Sequence, residues 1–272
     1  MHKMKTRLSL IAILLAASPL CLAQADNDSS AEELAKKLAN PIASLISVPF
    51  QLNYEQNIGS LDDGDRTTLN IQPVAPFSLN DDWNVISRTI LPIVSQSDIA
   101  PGLGSQSGIG DIVQSVFFSP KAATSSGWIW GAGPVFLIPT GSDTYLTADK
   151  WAAGPTAVAL RQQGPWTYGA LANHLWSFAG DDARQDLSNT FLQPFVSYTT
   201  PTGISYSLQT ESTYNWKDSQ WTVPVFAGAA KILRVGNQML QVGGGLRYYA
   251  KSSPGGAEGL GIRINFVLLY PK

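Results

Sequence analysis

The sequence predicts an all-β chain: a transmembrane antiparallel β-barrel of about twelve strands, preceded by a short N-terminal helical segment. Three observations carry that prediction. From Gly259 to Tyr270 the chain alternates, with Leu260, Ile262, Ile264, Phe266, Leu268 and Tyr270 on one parity and Gly261, Arg263 and Asn265 on the other. Period two with one apolar face is a strand signature, and many earlier segments repeat it at similar length. The composition combines 8 Trp, 9 Tyr, 10 Phe and 24 Gly with only 14% charged residues. Lastly, no segment after the N-terminal leader offers the ~18 consecutive apolar residues of a membrane helix. A lipid-facing sheet must close on itself, because lipid leaves stray backbone amides unsatisfied.

Three regions follow. Residues 1–23 read as a secretory signal peptide, with Lys3, Lys5 and Arg7 before an apolar run, Leu8 to Ala17, too short to span a bilayer. Cleavage fits after Ala23 or Ala25. A lipoprotein at Cys21 would need small residues just before it, and Ser18-Pro19-Leu20 fits that poorly. Ordinary cleavage removes Cys21 and His2, leaving no cysteine and His174 as the single histidine. Disulfides, thiol catalysis and cysteine metal sites go with them. Loss of the basic leader also makes the chain more acidic than its formal −2, which argues against nucleic-acid binding.

Residues 24–47 form the one helical stretch, an arm or a plug. Ser30 is the expected cap. Glu32 and Glu33 follow in the first turn and Lys36 and Lys37 later, the polarity a helix dipole favours. Leu34, Leu38, Ile42 and Leu45 keep near-helical spacing, and Pro41 breaks or kinks the run. Two placements fit: a periplasmic amphipathic arm, or a short plug inside the barrel.

Residues 48–272 form the barrel. In Val48 to Asn57, Val48, Phe50, Leu52 and Tyr54 oppose Gln51, Asn53, Glu55 and Asn57. In Thr67 to Leu79, Leu69, Ile71, Ala75 and Phe77 oppose Thr68, Asn70 and Gln72, and Asn80-Asp81-Asp82 makes a tight turn. Further strands are expected at 83–94, 108–120, 127–139, 150–162, 166–178, 189–200, 204–215, 220–234, 238–250 and 259–270. The connections at 58–66, 95–107, 140–149, 179–188 and 251–258 are longer and polar. Those at 80–82, 164–165, 201–203 and 235–237 are short, while 120–126 and 216–219 depart from the alternation. Twelve strands put both termini on the periplasmic side and the long loops outside, the rule for outer-membrane barrels. Trp83, Trp128, Trp151, Trp166, Trp176, Trp216 and Trp221 fall near strand ends, where interfacial aromatic girdles sit.

Inward charge is where a barrel's function would show. Parity turns Glu55, Asp111, Glu211, Arg247 and Arg263 toward the lumen, with Arg88 beside them. An Arg facing mid-bilayer lipid would cost roughly 2–4 kcal/mol. Position along each strand puts the first five in the outer half. Closure makes the first, eleventh and twelfth strands neighbours, so Glu55, Arg247 and Arg263 are expected to cluster. Such a layer either selects solutes or simply holds structural ion pairs. Gly243 and Gly245 on the inner parity leave room, or mark bends.

Catalysis finds no constellation. A lipase on the barrel wall would want Ser two residues after His; Ser177 is three after His174, on the opposite face. No enzyme is expected. The stretch from Gly102 to Gly108 lacks the Lys and the following helix of a phosphate loop. Asp62, Asp63 and Asp65 read as a solvated loop, and neither metal nor cofactor is expected.

Several motifs together resemble one known family. They are N-P-I-A-S-L-I-S-V-P-F (Asn40–Phe50), I-Q-P-V-A-P-F-S-L (Ile71–Leu79), S-R-T-I-L-P (Ser87–Pro92), G-I-G-D-I-V-Q-S-V-F-F-S-P (Gly108–Pro120) and G-A-G-P-V-F-L-I-P-T (Gly131–Thr140). G-A-L-A-N-H-L-W-S (Gly169–Ser177), F-L-Q-P-F-V-S-Y (Phe191–Tyr198) and the terminal L-L-Y-P-K complete the set. They resemble a proteobacterial outer-membrane barrel family of MetA-pathway phenol-degradation-type transporters, some of whose members carry the label neuromedin U. The resemblance implies an outer-membrane barrel with a transport role, and neither a catalytic set nor a fixed substrate. One departure is that Pro271-Lys272 follow Tyr270, where family members favour a terminal aromatic.

The expected function is passage of a small solute across the outer membrane, aromatic or other hydrophobic compounds among the candidates. The alternative is a closed structural or ligand-binding barrel without conductance. The expected partners are outer-membrane lipid, the barrel-assembly machinery and an unidentified small solute.

Overall fold

The structure, a computed structural model, describes residues 25–270. The expected leader before Gln24, with Cys21 and His2, and the terminal Pro271-Lys272 lie outside the described residues. One helix, α1 (Ala25–Leu38), precedes β1 (Ile46–Ile58), β2 (Gly64–Ile71), β3 (Val74–Ser78), β4 (Trp83–Ser97), β5 (Ser105–Ile109), β6 (Ile112–Pro120) and β7 (Trp128–Ile138). Then come β8 (Lys150–Gln163), β9 (Trp166–Gly180), β10 (Ser188–Thr199), β11 (Ile204–Thr210), β12 (Ser212–Asn215), β13 (Gln220–Val235), β14 (Gln238–Lys251) and β15 (Gly259–Tyr270). β2 with β3, β5 with β6, and β11 with β12 are each one interrupted stave, which makes a closed 12-strand antiparallel barrel. Closure is the pairing of β1 with β15, from Ile46 opposite Tyr270 to Tyr54 opposite Ile262.

Proline explains the interruptions. It has no N–H to give a ladder, so each such row keeps one bond where two would form. Gln72 N donates to Pro49 O at 2.8 Å, Thr89 N to Pro73 O at 3.1 Å, and Gly110 N to Pro92 O at 2.9 Å. Glu211, between β11 and β12, donates its N–H to Pro224 O at 3.2 Å.

The helix differs from its expectation at the start. It begins at Ala25, so Ser30 lies inside it rather than capping it. It ends at Leu38, ahead of Pro41, and Asn40 Oδ1 then accepts from Ile42 N at 3.0 Å, the local bond that turns the chain toward β1.

The barrel's two faces differ. Outward, Leu52, Ile93, Phe118, Phe136, Leu192, Leu208, Leu246, Ile262 and Ile264 are exposed on β1, β4, β6, β7, β10, β11, β14 and β15, around the whole barrel. Such a continuous apolar band marks a lipid-facing surface rather than a water-facing one. Aromatic rings pair along the end that carries the N-terminal segment: Trp83 with Trp130 at 5.9 Å, Trp128 with Tyr168 at 6.2 Å, and Trp166 with Tyr198 at 5.0 Å. At the other rim Tyr214 meets Trp216 edge to face at 4.8 Å and lies tilted against Trp221 at 4.9 Å.

Inward, the terminal end is apolar and filled. Leu34, Ala35 and Leu45 pack on Ile232 of β13 and Val267 and Leu269 of β15. Ile42 packs across the lumen on Ile86, Phe117, Val158, Leu160 and Leu171 of β4, β6, β8 and β9. Gln162 Nε2 donates to Lys36 O at 2.7 Å, and Asn84 Nδ2 to Ser44 Oγ at 3.1 Å. Residues 31–45 therefore touch opposite walls.

The wall itself is tight beside Pro155. A Cβ on Gly154 would stand 1.8 Å from His174 O on the neighbouring strand, too close for any side chain. Gly154→Val is therefore expected to cost at least about 1–3 kcal/mol by overpacking. A lowered temperature for loss of the compact, heat-modifiable gel band checks this.

Candidate functional site: the ionic layer and the lumen chamber

Strand order brings the inward charges together. β13, β14, β15 and β1 are consecutive around the barrel, so residues nearly two hundred apart in sequence share one level. Arg263, fully buried, forks onto Glu211 with Nη1 to Oε1 at 2.8 Å and Nη2 to Oε2 at 2.7 Å. Its Nε donates to Asn53 Oδ1 at 2.7 Å, and its guanidinium lies 4.9 Å from the centre of the Phe226 ring. Arg247 bonds Glu55 through Nη1 and reaches Glu211 Oε2 at 3.4 Å through Nη2. Tyr249 OH donates to Glu55 Oε1 at 2.5 Å, and Gln209 Nε2 to Glu211 Oε1 at 3.0 Å. Arg247 Nε is buried without a partner.

The reach of Arg263 has a backbone cause. It is paired with Gly245, and Gly245 with Gly228. Two adjacent staves thus lack side chains on that row, and the Arg263 side chain crosses over them to Glu211. A Cβ on Gly245 would lie 2.2 Å from Ala227 O, so the row is also closely packed. Room for a neighbouring side chain, rather than a bend, is what the inner glycines supply here.

The remaining candidates stand apart. Arg88, on β4, donates through Nη2 to Gln72 Oε1 at 3.0 Å, and Gln72 Nε2 donates to Gln51 Oε1 at 3.3 Å. Asp111 joins no charge cluster. It accepts Gly141 N at 3.1 Å and Ala148 N at 2.7 Å, pinning the loop between β7 and β8. Sequence reading missed the neutral partners Asn53, Tyr249, Gln209 and Phe226. Asn53 carried a signal, sharing the parity of Glu55 two residues on.

Beside this layer lies a chamber of about 560 Å³. Arg88, Glu211 and Arg263 line it together with Phe191, Phe195 and Phe226, and Leu38, Asn40 and Pro41 form part of its wall. A second cavity of about 590 Å³ at the long-loop end is lined by Asn215, Asp218, Thr222 and Ser253. Both include Asn189 and Thr213, so the chamber meets the loop-end vestibule there. Among the described residues, no group of three or more His, Cys, Asp or Glu is placed to hold a metal ion.

The loops over that vestibule are tied by charge. Lys150 Nζ lies 3.0 Å from Asp186 Oδ1, which also accepts from Ser177 Oγ at 3.2 Å. Arg184 pairs with Asp149 at 3.1 Å and donates to Thr144 O. The hydrogen bond from Lys150, then that from Ser177, holds the Asp186 carboxyl below the ordinary carboxylate range. His174 points outward. Its Nδ1 is 2.7 Å from Thr190 Oγ1 and its Nε2 is 3.4 Å from Ser188 Oγ, a neighbour that the sequence reading passed over.

A closed barrel with an apolar outer belt and two aromatic rims defines an outer-membrane β-barrel. No family model matches the chain, and no curated protein matches it. Solved structures do. An outer membrane channel from Pseudomonas putida F1 is 16% identical over 84% of this chain and 96% of its own, with a TM-score of 0.65. A FadL homologue from Pseudomonas aeruginosa is 9% identical over 89% and 94%, with a TM-score of 0.39. The outer membrane phospholipase A of Escherichia coli is 9% identical over 82% and 96%, with a TM-score of 0.45. That match corrects the expectation that the chain is no enzyme, because the barrels it resembles include one. The fold alone does not exclude catalysis.

Two outcomes test this geometry. Arg263→Ala leaves Glu211 short of its forked partner and is expected to cost about 3–5 kcal/mol. Pairing Arg263→Met with Glu211→Leu should recover most of that loss, as read by denaturation in micelles. The Asp186 tie is complete at neutral pH. Its folded pKa is lowered, so the contact is lost as pH falls through that value. Pepsin cleavage beside Leu187 should therefore rise on acidification below the usual carboxylate range. In Asp186→Asn it should be fast throughout.

Proposed function

We propose that the chain is an outer-membrane channel for small solutes whose periplasmic end is closed by its own N-terminal segment. One observation carries the reading. A chamber meets the loop-end vestibule at Asn189 and Thr213, while residues 31–45 touch both walls at the far end. Passage needs no chemistry, only a lumen whose width and charge select. The ionic layer would set that charge selection.

Aromatic or other hydrophobic compounds are the solute class this reading favours. The apolar wall of Phe191 and Phe195 is in keeping with that. Outer-membrane lipid and the barrel-assembly machinery are the partners such a barrel would need. A second reading, a closed ligand-binding barrel, draws on the same anchoring of residues 31–45 to two walls.

Liposome swelling with arabinose separates the two. The full-length barrel should pass the sugar slowly, and a variant lacking residues 25–45 several-fold faster. A full-length barrel that passes no sugar, or a shortened barrel that folds and passes it no faster than the full chain, would overturn the channel reading.

A further inference from the structure

We infer that the chamber holds a subsite for a small organic monoanion, with Arg88 as its anchor and Phe191 and Phe195 as the wall for its apolar body. The inference rests on charge accounting inside a low-dielectric barrel. Three guanidiniums, Arg88, Arg247 and Arg263, share this region with two carboxylates, Glu55 and Glu211. Both carboxylates are engaged by the other two: Arg263 forks onto Glu211, while Arg247 takes Glu55 and the second edge of Glu211. Arg88 feels Glu211 only at longer range, and its hydrogen bond goes to a neutral acceptor, Gln72 Oε1, at 3.0 Å. One positive charge is therefore left without a bonded counter-charge, and it lines the cavity.

The surroundings of Arg88 fit an anion. A guanidinium presents five N–H donors in a planar fork that matches a carboxylate. One donor goes to Gln72, leaving the rest of the fork for a ligand. The amides of Gln72, Gln51 and Asn70 are linked through Gln51 Oε1, at 3.3 and 3.5 Å. That chain orients Gln72 and so the guanidinium. Leu171, Phe191 and Phe195 enter the same cavity from β9 and β10, which face β4 across the lumen. A ligand with a charged head and a flat apolar body uses both surfaces. A purely hydrophobic solute would leave the guanidinium unpaired, and a bare inorganic ion would leave the aromatic wall unused.

The subsite depends on the chamber being reached by solute, which is the channel reading, but its binding can be measured without flux. Benzoate, its neutral relative benzamide, acetate and inorganic phosphate are titrated calorimetrically into the full barrel in detergent micelles. Benzoate should bind saturably and more tightly than the other three. Arg88→Gln should weaken benzoate by about ten- to hundredfold, the worth of a charge-assisted hydrogen bond, and leave benzamide unchanged. Arg88→Lys, which keeps the charge and loses the fork, should fall between the two and serves if the first variant does not fold. Equal binding of benzoate to native and Arg88→Gln barrels, phosphate binding as tight as benzoate, or no benzoate binding to the native barrel would each overturn the subsite. Benzoate binding in a barrel that swelling shows to be impermeable would support the subsite while sinking the channel.

Discussion

Closure of the sheet is the constraint on which the rest depends. In hydrocarbon an unpaired amide costs several kcal/mol, and an open edge would present a row of them. The nine residue pairs from Ile46–Tyr270 to Tyr54–Ile262 remove that edge. They also set the chemistry of the interior. Glu55 and Arg263 are two hundred residues apart in sequence, yet β1 and β15 are neighbours, with β14 and Arg247 on the next stave. The ionic layer is thus a consequence of where the sheet seals, and a slip of one residue in that register would put Glu55 on the opposite face from Arg247 and Arg263.

Within the layer, geometry decides whether buried charge is tolerable. A buried ion pair repays desolvation only with good geometry and satisfied remaining donors. Arg263 meets that condition, with a fork on Glu211, Asn53 on Nε and the face of Phe226 beside it. Arg247 meets it less well, because its Nε has no partner. The contrast follows from the backbone, since Arg263 has a cleared glycine row to cross.

The strands were legible because lipid enforces strict alternation, and a period of two survives even where proline removes ladder bonds. The inward placement of Glu55, Arg247 and Arg263 follows from the same parity. Asp111 is different. Its parity read as luminal, but its position in the gap between β5 and β6 turns it onto loop amides, a contact that parity cannot report. The seat of residues 31–45 was half legible. Leu34, Ile42 and Leu45 are spaced alike for a rim or a lumen. The deciding signal lay elsewhere, in Ile232, Val267 and Leu269, which are apolar on the inner parity near the terminal end. A water-filled lumen has no use for such residues; a lumen occupied by another apolar surface does.

That inner gradient links the parts. Apolar side chains at the periplasmic end call for a cover, and the N-terminal segment supplies one through few large anchors: Leu34 and Leu45 on one wall and Ile42 on the other. Its polar ties to the wall, Gln162 to Lys36 and Asn84 to Ser44, are as sparse. Ordering residues 31–45 costs backbone entropy at every residue, while three large side chains are buried in return. That cover takes no part in closing the sheet, because the ladders run from stave to stave without it. The ionic layer is the opposite case, tied into four staves by forked bonds. The charged element of this lumen is therefore built into the wall, and the apolar one is laid against it.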